Sequence, residues 1–361
     1  MKSLLGVLVG GAALMAIAAP ASATFSTQGQ ATPMITYTSA AAITAGRTYG
    51  SYDGVGSLFV TVASTATTGL GYLCTGALTS SNTVLTAGHC LYNYNEDGDY
   101  DPVTAISFYL PSRGEATPAS TYTASSWEVN PDYNGDVTAG SDLSMFTLST
   151  LATGHTTYSL YGGDPLQQFT RVGTGTVGGP GGTGTGVSSY DFDQRQGNNL
   201  YEYYGDEFFS DVTHNILLSD FDDGNEAHDV FGQAGGNVQT GIPGESDSSP
   251  GDSGGPEFID GQIVGITSFG VTGAVVDGSC GSPSDIDPYA AGQSCTNSSV
   301  GEIAGDTWAL PYSNFINNYI RNAAPGAVPE PSSWAVFMLG FGVLGSSMRL
   351  RNRANRMRAA I

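Results

Sequence analysis

Basic residues are scarce in this 361-residue chain, where 11 Lys and Arg face 33 Asp and Glu for a formal charge of −22. Lys2 and five arginines, Arg349, Arg351, Arg353, Arg356 and Arg358, sit at the two ends. Between residues 24 and 328 only Arg47, Arg113, Arg171, Arg195 and Arg321 oppose 32 acidic side chains, a formal −27. A surface of that sign repels phosphate backbones, which argues against nucleic acid as a partner, and it can attract calcium. Helical periodicity is almost missing, so a helical bundle is excluded. Neither a Gly-Lys-Ser/Thr step nor a Rossmann spacing accompanies the 51 glycines. The stretch "GTGTVGGPGGTGTG", Gly173 to Gly186, is therefore no phosphate cradle; it reads as a flexible surface loop or a glycine-rich strand connection. No internal repeat is evident.

The two ends read as addresses. Residues 1–23 form a secretory signal, with Lys2, an apolar run from Leu4 to Ala19 and the small-residue site Ala21, Ser22, Ala23. Residues 24–47 are a polar leader to which no element is assigned. At the other end, residues 323–361 carry Pro329, Glu330 and Pro331, a short, mostly apolar stretch, then the arginine cluster. That order resembles the PEP-CTERM sorting signal of Gram-negative bacteria. The resemblance implies export through the inner membrane to the envelope surface or beyond, and a membrane sorting enzyme of the exosortase kind as partner. The alternative is a tail anchor, a transmembrane helix with a positive-inside cluster.

What remains is rich in β signals: Ser57–Val62, Thr83–Ala87, Ala105–Leu110, Leu143–Leu148 and Gln262–Phe269 are short apolar runs bounded by turn residues. An all-β chain of this length accommodates two packed barrels. One helix is expected at residues 311–321, where Tyr312, Phe315, Ile316, Tyr319 and Ile320 share one face. Four cysteines in an exported chain suggest two disulfides. Sequence alone allows three pairings. Cys74 with Cys90 and Cys280 with Cys295 is favoured because each closes a short loop, worth roughly 3 kcal/mol.

The chemistry concentrates at "SSPGDSGGP", Ser248 to Pro256. A serine nucleophile needs a base, a group that fixes the base's tautomer, and donors for an oxyanion. His89, delivered at the end of the run "TVLTAGHC", is the base candidate; His155, His214 and His228 read as solvated. Asp142 opens an apolar strand and is preferred as orienter over Asp132 and Asp136. Around Ser253, Gly251 lets its own N–H and that of Ser253 converge on one oxygen, Gly254 and Gly255 keep Cβ atoms out of the substrate's path, and Asp252 turns inward.

"LTAGHC", "SDLSMFTL" and "GDSGGP", in that order, resemble the signature blocks of the chymotrypsin and trypsin family of serine endopeptidases. The resemblance implies two antiparallel β-barrels, about 48–160 and 161–310, followed by the helix. It also implies a catalytic set of His89, Asp142 and Ser253, an oxyanion hole of Gly251 and Ser253, and an edge at Ser268, Phe269 and Gly270 that pairs with substrate. The spacing of Cys74 and Cys90 suits the family's histidine-loop disulfide. Asp247, six residues before Ser253, stands where trypsin-like members carry the base of a pocket for Arg or Lys; the competing reading is an acidic surface turn. The expected protein is a monomer acting on proteins or peptides, with no cofactor. Its rival is an inactive protease-like protein that binds at a surface or matrix. Family zymogens pair a new N-terminus with the aspartate beside the nucleophile; cleavage after Arg47 would supply one, and an oxyanion loop ordered without that pair is the alternative. Two acidic loops invite calcium. One runs from Asn93 through Asn95, Asp97, Gly98, Asp99 and Asp101, with Thr104 where an EF-hand has its closing Glu; the other is Asp220–Glu226.

Overall fold

The computed structural model describes residues 36–37, 51–63, 68–92, 102–111, 118–176, 178–179, 182–183, 194–271 and 298–324. Six strands close a barrel: β1 (Val55–Ala63), β2 (Thr68–Leu78), β3 (Thr83–Thr86), β4 (Val103–Pro111), β5 (Pro118–Val129) and β6 (Ser144–Leu148), in the order β1-β2-β3-β6-β5-β4. Each expected run in this half lies in or overlaps one of these strands. The alternation of apolar residues fixes which face is inside: Ile106, Phe108 and Leu110 are buried while Ala105, Ser107 and Tyr109 point outward. Phe108 meets Phe146 edge-on at 5.7 Å in the middle of the barrel.

The second half is a seven-stranded antiparallel sheet. Its strands are β7 (Gln168–Gly173), β8 (Arg195–Leu200), β9 (Tyr203–Tyr204), β10 (Ile216–Asp220), β11 (Pro256–Ile259), β12 (Gln262–Val271) and β13 (Ile303–Trp308), ordered β8-β7-β11-β12-β13-β10-β9. Among the described residues this half is a half-barrel rather than a closed one. Its interior holds a charge that the sequence did not announce. Arg171 on β7 is fully buried, 2.9 Å from Asp306, 3.4 Å from Glu257 and 3.6 Å from Asp247. A buried guanidinium is tolerable only when surrounded by such acceptors.

The C-terminal helix (Ser313–Ala323) follows β13 and a 3-10 turn at Leu310–Tyr312. Ile316 is buried in the core that also contains the first barrel, and Tyr312, Phe315, Tyr319 and Ile320 pack against it, as their spacing predicts. Cys280 and Cys295 lie outside the described residues, as do the tail and the first acidic loop from Asn93 to Asp101. Among the described residues no helix is long and apolar enough to cross a membrane.

The glycine-rich stretch departs from a surface loop at its start. Gly173, Thr174, Gly175 and Thr176 are buried; farther on, Gly178–Gly179 and Gly182–Thr183 pair as short strands. Its first turn lies against the loop at Ser248–Pro256. The leader also contributes: Thr36–Tyr37 pairs antiparallel with Ser246–Asp247.

Candidate active site

The register of the first barrel brings His89 and Asp142 together. Thr86 at the end of β3 is opposite Ser144 at the start of β6, so the residues just after one and just before the other meet at the same end of the barrel. Ser144 Oγ donates to the Ala87 carbonyl at 2.6 Å and holds that corner. The Asp142 carboxylate, fully buried, accepts from the His89 backbone N–H at 2.6 Å and lies 2.7 Å from His89 Nδ1. An imidazole that donates through Nδ1 leaves Nε2 as the acceptor. The two competing aspartates are elsewhere: both are exposed, and Asp136 accepts from Thr138 N–H at a 3-10 turn.

Two further groups hold Asp142. Ser268 Oγ donates to its Oδ2 at 2.5 Å, so this serine, expected at the substrate edge, turns its side chain inward. Tyr133 also hydrogen bonds to Asp142, and burial, reinforced by the Asp142 charge, pushes its hydroxyl well above the usual range, keeping it a donor. Tyr133 was not legible as a site residue, since nothing in "NPDYNG" sets it apart from a turn tyrosine. Gly88 makes room for it: a Cβ there would lie 2.9 Å from both Asp142 Oδ1 and the Tyr133 ring.

Ser253 sits on the turn before β11, and β2 grips that turn at two points. Thr75 N–H donates to the Ser253 carbonyl at 2.8 Å, and Thr75 Oγ1 to the Gly251 carbonyl at 2.9 Å. The neighbouring Cys74 is disulfide-bonded to Cys90, whose sulfur is 3.6 Å from the Ser253 carbonyl. Nucleophile and base are thus fastened to adjacent residues of one strand. Among the described residues Ser253 Oγ makes no direct hydrogen bond to the His89 ring; such bonds are often long before substrate binds.

Gly251 (φ +97°) and Gly254 (φ +80°) adopt the left-handed backbone that favours glycine. Among the described residues the N–H groups of Gly251 and Ser253 have no protein acceptor, whereas that of Asp252 bonds Ser249 O and that of Gly254 bonds Thr267 O. The reason for Gly254 and Gly255 differs from substrate clearance. A Cβ on Gly254 would strike Thr86, Thr75 and Ala87, and one on Gly255 would lie 2.8 Å from the carbonyls of Asp252 and Val172. Both glycines let the turn press against protein.

Asp252 is fully buried and points inward as expected, accepting from Gly175 N–H at 2.8 Å and Ser249 N–H at 3.0 Å. Burial pushes its carboxyl up to about 7. Asp247 is no surface turn: it is 2% exposed, accepts from its neighbour's N–H at Ser248, and faces Arg171. Phe269 and Gly270 pair with β13 on one side, while β11 pairs with β12 no farther than Ile266. The remaining histidines take other partners: His155 Nδ1 lies 2.8 Å from Asp53 O, half-buried rather than solvated, and His214 and His228 bond Asp206 and Asp223.

A barrel and half-barrel of antiparallel strands, holding an Asp–His pair beside a Gly-Asp-Ser-Gly-Gly turn, define the framework of a serine protease hydrolase. The chain belongs to the trypsin family, whose model, described as Trypsin, matches residues 51–291. A second model, the PEP-CTERM protein-sorting motif, matches residues 327–353, which marks the chain for export to the cell envelope or beyond. Among solved structures, an HL collagenase is similar at 14% identity and a TM-score of 0.46, over 76% of this chain and 96% of that one. No curated protein matches the sequence.

Proposed function

We propose that the protein is an active exported serine endopeptidase. The observation that carries this reading is the buried Asp142 carboxylate 2.7 Å from His89 Nδ1, beside a Ser253 turn with two unspent N–H donors. In this reading His89 Nε2 takes the proton of Ser253 Oγ as that oxygen attacks the scissile carbonyl carbon. The negative charge that develops on the carbonyl oxygen is met by the N–H groups of Gly251 and Ser253. His89 then gives its proton to the departing amine, and a water molecule, activated by the same ring, releases the acyl group from Ser253. The half-open edge at Phe269 and Gly270 offers backbone groups for an extended peptide.

For the residue before the cleaved bond, the contacts of Asp247 favour an uncharged side chain. A pocket for Arg or Lys needs a carboxylate whose counter-charge comes from substrate, and Arg171 already faces this one from inside at 3.6 Å. Peptides with Arg, Phe or Ala at that position separate the readings: Phe or Ala cleaved faster than Arg is expected, and an Arg preference would restore Asp247 as the pocket base.

The test of activity itself is labelling of the secreted protein with a fluorophosphonate. Label that disappears in Ser253→Ala is expected. Folded wild-type protein that takes no label would make it an inactive binding scaffold.

A further inference from the structure

The second acidic loop folds into something the sequence did not show. Asp220 ends β10, Asp222 follows two residues later, and Asp229 caps a short helix (Val230–Gln233), so three aspartates separated along the chain converge. One carboxylate oxygen from each lies within 4.8 Å of the other two, and all three residues are buried. That spread is what three ligands around one calcium ion give, since calcium–oxygen bonds are about 2.3–2.6 Å long.

A cluster of acids alone proves little, because loop aspartates often serve the backbone. Asp229 Oδ1 accepts from Gly232 N–H at 2.6 Å and its Oδ2 from Gln239 N–H at 2.9 Å. Asp220 Oδ2 accepts from Val230 and Phe231 N–H at 3.1 and 3.3 Å. These bonds aim the carboxylates and leave lone pairs on the oxygens, each of which has two. Asp222 is different: it is 2% exposed and its Oδ1 is fully buried with no hydrogen-bond partner. A buried carboxylate oxygen left without a donor is costly unless a cation or a proton meets it. Glu202, half-buried, lies against the Asp220 carboxyl and adds a fourth acid to the group. Glu245 braces the loop from behind, its two oxygens accepting from Asp222 and Ile242 N–H at 2.7 and 2.6 Å. The other grouping of metal-binding residue types among the described residues, Cys74, His89 and Cys90, is spent, because its sulfurs are bonded to each other.

We infer that Asp220, Asp222 and Asp229 form a calcium-binding site in the second half of the fold. An all-carboxylate oxygen set selects a hard divalent cation, and the irregular loop suits calcium's flexible coordination better than the strict octahedron of magnesium. Glu245 is two residues before Asp247, and the strand Ser246–Asp247 runs on toward the Ser253 turn. Bound calcium therefore braces the base of the catalytic loop from a distance, without touching reacting atoms.

The test is calorimetric titration of the full secreted protein, stripped with EDTA, with calcium chloride. Wild type is expected to bind calcium. Asp222→Asn should lose one equivalent, or weaken that site at least 100-fold, while the double variant Asp97→Asn/Asp99→Asn in the first acidic loop keeps it. Unchanged stoichiometry and affinity in folded Asp222→Asn, or no calcium binding by wild type, overturns the inference. Should Asp222→Asn fail to fold, hydrogen exchange on wild type decides: amides of residues 221–232 should exchange at least tenfold more slowly with calcium. Equal exchange with and without calcium sinks the site.

Discussion

The carboxylate of Asp252 is held by the backbone N–H of Gly175 at 2.8 Å, across the first turn of the glycine-rich stretch. The contact explains why that turn is glycine: a Cβ on residue 175 would lie 2.6 Å from Asp252 Oδ1 and from the Gly251 carbonyl carbon. Gly175→Ala is expected to push the Ser253 turn out of shape and to lower kcat about 100-fold or more, the scale of losing an oxyanion donor. Steady-state kinetics on a peptide substrate, with circular dichroism to confirm folding, measures it.

The same contact bears on activation. Asp252 already has two internal donors, Gly175 and Ser249, which favours an oxyanion loop ordered without a new N-terminus. The secreted Arg47→Gln variant is expected to keep activity within about twofold of wild type. A loss of more than tenfold in kcat/KM would show that maturation after Arg47 is needed.

Tyr133 positions Asp142 rather than touching substrate. Removing one hydrogen bond to a charged group costs about 1.5–3 kcal/mol. Tyr133→Phe should therefore lower kcat by roughly tenfold or somewhat more, with KM nearly unchanged. A change confined to KM would assign Tyr133 to substrate binding instead.

Asp252 makes stability depend on pH in a defined direction. Its carboxyl is raised from 3.8 to about 7 by burial, so between those values the native chain holds the proton more tightly than the unfolded one. Its contribution is fully present below pH 3.8 and is lost as pH rises through about 7. Thermal unfolding should show a lower Tm at pH 8 than at pH 5, and Asp252→Asn should flatten that difference. An equal slope in variant and wild type would clear Asp252 of the effect.

The Cys74–Cys90 bond spans a sequence separation of 16. Closing such a loop contributes about 3 kcal/mol. Cys74→Ser/Cys90→Ser should lose about that much in urea unfolding, and should lose activity as well, because both partners adjoin groups that hold the site.

Much of this was written in the sequence, at the points where local chemistry and final structure agree. The apolar run at residues 105–110 and the helical face at residues 312–320 each announce an element, and both form: the first lies within β4, and the second packs one side on the core, with Ile316 buried. Asp142 stood out because it opens a core strand. Arg171, Tyr133 and Gly175 did not, since their roles come from partners 135, 9 and 77 positions away that no local pattern reveals. The Arg171 partner of Asp247 was hidden for the same reason: it lies on a strand 76 positions earlier, and spacing from Ser253 says nothing of it. The surroundings of Gly254 and Gly255 are not legible because clearance for a ligand and clearance for nearby protein look alike in one dimension.

One strand position governs the assembly. Cys74 is chained to the residue after the imidazole and Thr75 clasps the nucleophile's carbonyl, so both reacting partners are tethered to neighbouring links. Surface loops on either half can lengthen, shorten or drift over evolutionary time while that tether keeps the working distance constant.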